Sequence, residues 1–364
     1  MNSEERDLLF ASVNKYLTNS YNYYDFRLDG SASSESVMKM YKETCDLGWS
    51  AFLFSEEVGG FGGAAIDIAE LFEKFGKHRV VTPYLESQIT AGTILSCIGE
   101  KGSAVLGELI AGNITLCVLG SSDRYSDSGP IALNLDTLDD PACDYGAVPW
   151  APVADKMLVV ASNKGEDMLL LVDRQSPSIS VERRVGVDGS LVGKVTINDL
   201  RRDSCEILAE GSAVSDIVKI ACLKTSIALC AEAVGAMESL LRQTVEYTKT
   251  RKQFGQPISN FQVLQHMMAN MFVAHTTSHE MLKGIASEIS TDADYLAYER
   301  EIMLLKHKIN KESKYVRHSA MQCHGGIATT DELMLGHYLK RLVVIDNYFG
   351  GPHVDMDRIN REAA

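Results

Sequence analysis

From Ser212 to Thr250 the chain runs without a proline and with a single glycine, Gly235. A stretch that long without a breaker reads as one continuous helix, and such a helix needs neighbours to cover its apolar side. The sequence supplies them. Asn260 to Glu288 and Asp292 to Cys323 read as two further long helices, with shorter ones at Asp331 to Val344 and Val354 to Arg361. Three long and two short helices suffice for an antiparallel bundle over residues 211–364.

The first 113 residues are also helical in pattern. Leu8, Leu9, Phe10, Val13 and Leu17 are spaced for one helical face behind Ser3. A second helix is expected from a cap at Ser34 to Leu47, ending at Gly48, and a third carries Ile66, Ile68, Ala69, Leu71, Phe72 and Phe75. Two more are expected near Leu85 to Ile98 and Ser103 to Ala111. The texture changes at Gly112. Short apolar runs (Ile114 to Leu119, Lys156 to Ala161, Met168 to Val172, Ile179 to Glu182, Gly193 to Ile197) alternate with turn residues, and five of the eight prolines lie between 130 and 177. That spacing indicates a compact, mostly antiparallel β domain. The expected fold class is α+β and multi-domain: an N-terminal helical domain (1–113), a middle antiparallel β domain (114–210) and a C-terminal antiparallel helix bundle (211–364).

Charge narrows the choice of partner. Lys and Arg number 35 against 49 Asp and Glu, a net charge of −14 that repels phosphate backbones, and the densest basic run, Lys249 to Lys252, is four residues long. No nucleic acid partner is expected, and no apolar run approaches the ~20 residues that span a bilayer. The eight cysteines are scattered without a C-x-x-C, which argues for reduced thiols rather than a disulfide framework or a zinc site. Met1-Asn-Ser-Glu-Glu-Arg-Asp resembles neither a secretory signal nor a transit peptide. The expected compartment is the cytoplasm.

Local motifs sharpen this outline. Leu47-Gly-Trp-Ser-Ala-Phe-Leu-Phe-Ser-Glu-Glu-Val-Gly-Gly-Phe-Gly-Gly63 precedes the third helix. Arg251-Lys-Gln-Phe-Gly-Gln-Pro-Ile-Ser-Asn-Phe-Gln262 follows the longest one. Gln322-Cys-His-Gly-Gly326 ends another, and Tyr348-Phe-Gly350 lies near the C-terminus. With the second and third motifs about 60 residues apart, the chain resembles the acyl-CoA dehydrogenase family over essentially its whole length. The resemblance implies a tetramer with FAD across a subunit interface, one subunit holding the isoalloxazine ring and its neighbour the ADP half. On the ADP side it implies that Arg251 pairs with the pyrophosphate, that Phe254 and Gln262 pack nearby, and that Gln322 hydrogen-bonds in the adenosine half. Gly325 and Gly326 would allow close backbone approach. Taken singly, Arg251 also fits an ordinary C-terminal helix cation and Gly325-Gly326 an ordinary helix cap.

The family's reaction removes a proton from Cα and a hydride from Cβ of a CoA thioester, so it needs a carboxylate base and donors at the thioester oxygen. Most relatives place that Glu in a Tyr-Glu-Gly-Thr stretch, whose match here is Tyr348-Phe349-Gly350-Gly351. Phe349 occupies the base position. Other relatives carry the base on the first long bundle helix, where this chain has Thr225 followed by Ser226. Neither phenylalanine nor threonine takes up a proton from carbon. The loops that wrap the flavin ring in relatives also differ: Cys117 to Gly129 replaces the family's Thr-Glu-Pro loop, and no Thr-Asn follows Trp150. The best prior for Trp150 is a core or interface tryptophan, and for Met267, Met268 and Met271 it is core packing.

The resemblance therefore implies one subunit of an FAD-dependent, hetero-oligomeric acyl-CoA dehydrogenase. The partner would be a homologous subunit carrying the catalytic Glu, in an α2β2 heterotetramer, and the substrate a bulky or steroid-derived acyl-CoA. Two alternatives stand beside it: a self-sufficient flavoenzyme with a relocated base at Asp346 or His353, and a non-enzymatic scaffold. No metal site is expected.

Overall fold

The computed structural model describes residues 3–27, 33–120, 133–135, 143–200 and 205–350. Contacts divide the chain into two compact units: Met1–Ala64 with Val81–Thr225 and Thr291–Ala297, and Ala65–Val80 with Ser226–Ser290 and Tyr298–Ala364.

The first unit opens with helices α1 (Ser3–Asn19), α2 (Tyr23–Phe26) and α3 (Ser34–Asp46). The cap of α3 is Ser33, one residue before the expected Ser34, because its Oγ accepts from the Ser36 N–H at 3.2 Å. The region expected as one helix from Leu85 to Ile98 begins as a π-helical segment, Leu85–Ala91, and continues as α5 (Gly92–Ile98); α6 spans Glu100–Ile110. All seven residues of the π segment are buried, including Glu86, Ser87, Gln88 and Thr90. Buried polar residues need partners. Gln88 Nε2 donates to the Leu109 carbonyl at 2.8 Å, and Ser87 Oγ accepts from the Leu116 N–H at 3.0 Å.

The β region forms two sheets. One joins β1 (Leu116–Leu119), β2 (Leu133–Asn134), β4 (Lys156–Asn163), β5 (Glu166–Asp173) and β8 (Glu206–Glu210); the other is ordered β3 (Cys143–Pro149), β7 (Leu191–Ile197), β6 (Ile179–Val185). Pairing is antiparallel except that β1 and β2 run parallel to β4. Strand alternation puts Met157, Val159, Ala161, Leu170, Val172, Val195 and Ile197 in a shared core. Trp150 is buried beyond β3, and its backbone N–H donates to the Leu191 carbonyl at 2.8 Å.

The second unit is helical: α4 (Ala65–His78), most of α7 (Ala213–Thr250), α8 (Gln262–Glu288), α10 (Glu299–His324) and α11 (Met334–Asn347). The one glycine of α7 has a clear cause. A Cβ on Gly235 would sit 1.9 Å from the Glu73 carbonyl oxygen, and one on Gly76 would sit 1.9 Å from the Glu232 carbonyl oxygen. Thus α4 and α7 cross backbone to backbone, each giving up a side chain where they meet. Glu232 also takes a two-pronged ion pair from Arg341 of α11, Nε to Oε1 and Nη2 to Oε2, both at 2.6 Å.

The helix expected from Asp292 to Cys323 is broken. A short α9 (Asp292–Ala297) precedes α10, and the break falls at Tyr298. Neither proline nor glycine is present there. Instead α9 is held within the first unit by Asp292, paired with Lys224 Nζ at 3.1 Å, and by Tyr295, whose ring lies 5.6 Å from the same ammonium. The helix expected at Val354 to Arg361 lies outside the described residues.

Candidate functional site

The last turn of α7 ends at Thr250, and Arg251 leads into a two-stranded hairpin, β9 (Lys252–Gln253) with β10 (Gln256–Pro257). Its two loop residues, Phe254 and Gly255, have φ of 53° and 79°, the positive pair of a type I′ turn. The Ile258 N–H donates to the Arg251 carbonyl at 2.8 Å and closes the hairpin's base. Phe254 is held out at 90% exposure, touching Phe261 edge-on at 6.0 Å between centroids. Among the described residues the Arg251 guanidinium has neither a hydrogen bond nor an ion pair, and Gln262, at the start of α8, is likewise exposed.

The Gln322-Cys-His-Gly-Gly326 motif is the C-terminal end of α10. Gly325 caps it with φ 67° and ψ −147°, a conformation closed to residues with a Cβ, and its N–H donates to the Met321 carbonyl. A Cβ built on Gly325 or Gly326 would meet no atom within 4 Å, so both glycines face open space. Gln322 lines a groove of about 490 Å³ with Met267, Lys311, Lys314 and His318. Of the suggested methionines, Met271 is buried and Met267 and Met268 are half-buried.

The two ends are joined by rings. Tyr247, one turn before Arg251, stacks on His324 with centroids 4.3 Å apart and planes 23° from parallel. His324 Nδ1 lies 2.9 Å from the Ala320 carbonyl, which can only accept, so Nδ1 carries the proton. Burial pushes the His324 pKa down. Nothing in the sequence pattern singles out Tyr247, since the partners are 77 residues apart.

Phe349 and Thr225, which the resemblance sets at the base positions, are both buried. Phe349 is 4% exposed, edge-on to Tyr348 at 5.4 Å, with a left-handed φ of 59°. Thr225 is 0% exposed; its Oγ1 donates to the Ala221 carbonyl at 2.7 Å and lies 2.9 Å from Thr90 Oγ1. Asp346, weighed above as a relocated base, is itself buried and committed. Arg317 Nη1 donates to its Oδ2 and Ser313 Oγ to its Oδ1 at 3.1 Å. Burial raises its pKa while Arg317 opposes the rise, and each of its oxygens already accepts from a neighbouring side chain. His353 and most of the Cys117 to Gly129 loop lie outside the described residues. Among the described residues no three His, Cys, Asp or Glu side chains are grouped to hold a metal ion, and no helix is long and apolar enough to cross a membrane.

An unpaired guanidinium, two exposed amides, a projecting phenyl ring and an open glycine turn fit an anionic dinucleotide half: the cation suits a pyrophosphate, and the glycines leave room for backbone contact. Residues 223–364 match the family described as "Acyl-CoA dehydrogenase, C-terminal domain". The chain is 25% identical over 366 residues to the acyl-CoA dehydrogenase IpdE2 of Mycolicibacterium smegmatis, covering 99% of each. Among solved structures it is similar to the ChsE4–ChsE5 complex of Mycobacterium tuberculosis (TM-score 0.83, 20% identity, 100% of this chain and 98% of that one). It is also similar to the Tcur3481–Tcur3483 steroid ACAD (0.80, 20%, 98% and 97%) and to PigA in complex with FAD (0.81, 18%, 100% and 98%). The C-terminal region, residues 223–364, thus carries the acyl-CoA dehydrogenase C-terminal domain, and the whole chain is similar in sequence and fold to acyl-CoA dehydrogenases.

Proposed function

We propose that this chain is one subunit of a hetero-oligomeric, FAD-dependent acyl-CoA dehydrogenase, assembled as an α2β2 heterotetramer with a homologous subunit that carries the catalytic Glu. In this reading Arg251, Phe254, Gln262, Gln322, Gly325 and Gly326 hold the ADP side of an FAD whose ring sits on the partner. Bound FAD supplies the hydride acceptor for α,β-dehydrogenation of a CoA thioester.

The observation that carries the reading is an asymmetry. The residues read as the ADP side are exposed, while the two positions read as the base are filled by buried side chains that cannot take a proton. Neutral decay would erode both halves alike. Two of the similar structures pair two differently named chains, and one bears the word steroid in its description, which supports a heteromer and a bulky thioester. On this chain Arg251 would neutralise pyrophosphate charge, the amides would orient the adenosine, and the glycine turn would let the backbone approach. Proton abstraction would fall to the partner's Glu, because no group at 349 or 225 here can perform it.

Co-expression with a homologous subunit that retains its Glu tests this. The expected result is a yellow complex that oxidises an acyl-CoA. A colourless complex, or flavin and turnover in this chain alone, would overturn it.

A further inference from the structure

Tyr247 lies outside every motif, yet it touches both arms of the half-site. Through the helix, its carbonyl accepts the Arg251 N–H at 2.9 Å. Through its ring it stacks on His324, and its hydroxyl donates to the His324 carbonyl at 3.4 Å. That carbonyl belongs to the peptide unit whose N–H is Gly325's, the cap of α10 and the start of the open glycine turn. His324 is itself tied to α10 by its Nδ1–H on the Ala320 carbonyl at 2.9 Å.

The arrangement matters because the arms come from different helices. Arg251 follows α7; Gln322, Gly325 and Gly326 end α10. Each of these four residues is exposed, so none fixes its own distance to the others. A ligand that needs a cation at one end and an open backbone turn at the other requires that distance to be constant, and a looseness of ~1 Å is enough to weaken such a site. Tyr247 is only half-buried, at the ends of two helices and away from the bundle's interior. Its two contacts lead into the two arms.

We propose that Tyr247 is a positioning residue of the cofactor half-site: stacked on His324, it holds the end of α7 against the end of α10 and sets the spacing between Arg251 and the Gln322–Gly325–Gly326 arm. The inference rests on the reading that this half-site serves FAD.

The test titrates FAD into the flavin-depleted heteromeric complex by fluorescence quenching, for Tyr247→Phe, Tyr247→Ala, Arg251→Ala and the double variant, with oligomer mass and Tm recorded beside each. Losing the stack is expected to weaken FAD binding about tenfold, from the contribution of an aromatic pair. Tyr247→Phe keeps the stack and should bind within about threefold of the parent, since it loses one long neutral hydrogen bond. Because Tyr247 acts by placing Arg251, the two losses should combine to less than their product. Tyr247→Leu, which keeps apolar volume without a planar ring, covers the case in which the alanine variant does not assemble, and should also lose about tenfold. Parent-like binding by Tyr247→Ala or Tyr247→Leu beside a weakened Arg251→Ala would overturn the inference alone. So would losses that multiply, or binding that falls only as far as assembly and Tm fall. Parent-like binding by Arg251→Ala would overturn the half-site reading itself, and this inference with it.

Discussion

Adding a single methyl group at Gly235 should loosen the bundle, although helix propensity argues the other way. In an open helix, glycine to alanine gains ~1 kcal/mol. At Gly235 the new Cβ would stand 1.9 Å from the Glu73 carbonyl oxygen, 2.8 Å from its carbonyl carbon and 2.9 Å from the Lys77 nitrogen. All three are backbone atoms of α4, so no side chain can swing aside. Ordinary contact needs about 3.5 Å or more, which requires α4 to move off α7 by well over an ångström. The crossing would lose its packing along both helices, and overpacking of this kind costs ~1–3 kcal/mol or more. The upper end applies against a rigid backbone. Gly235→Ala is therefore expected to destabilise by about 2 kcal/mol net of propensity. Gly284, on the exposed side of α8, is the control: a Cβ there meets nothing within 4 Å. Gly284→Ala should stabilise by ~0.5–1 kcal/mol. Thermal unfolding followed by far-UV circular dichroism reads both, and the two shifts should have opposite signs. A Gly235→Ala protein as stable as the parent would refute the crossing.

Three further outcomes are expected. Glu232→Gln removes the negative charge from a buried, two-pronged ion pair with Arg341, which should cost ~3–5 kcal/mol; equal unfolding midpoints for variant and parent would contradict this. The folded-state pKa of His324 lies below its ordinary 6.5, so the unfolded chain binds more protons there, and its contribution to stability is lost as pH falls below about 6.5. His324→Phe keeps a ring on Tyr247 but cannot protonate, so its Tm should fall less than the parent's between neutral and acidic pH, whereas parallel profiles would exclude His324 as a source. Phe349→Glu, in a complex whose partner has its own Glu replaced by Gln, should give near-background dehydrogenation, because a base without an oriented acceptor forfeits proximity. Substantial turnover would mean that this chain hosts a complete flavin pocket.

The strands most legible in the sequence were those with apolar, β-branched runs paired on both sides, β4, β5 and β7. β3 was missed because Cys143–Pro149 carries Asp144, Gly146 and Pro149, residues tolerated there because β3 is an edge strand. The break at Tyr298 left no local mark. It follows from where Asp292 and Tyr295 are held, a tertiary contact that overrides a sequence otherwise fit for one helix. At the proposed half-site the motifs pointed to Arg251, Phe254, Gln262, Gln322, Gly325 and Gly326, and all six are exposed, on the hairpin, the start of α8 and the glycine cap. Tyr247 was invisible because its role depends on a contact between residues 77 apart. Asp346, attractive as an acid near the lost base, turned out to be Arg317's partner. Sequence proximity to a catalytic position says nothing about what already holds a carboxylate.

The central claim is that this chain holds the ADP side of its partner's FAD, and Arg251 tests it most directly. Arg251→Ala removes a charge-assisted contact worth ~1.5–3 kcal/mol. The heteromeric complex should then purify intact but bind FAD about ten- to a hundredfold more weakly. Flavin content and FAD affinity equal to the parent's, in a complex of unchanged mass, would contradict the account.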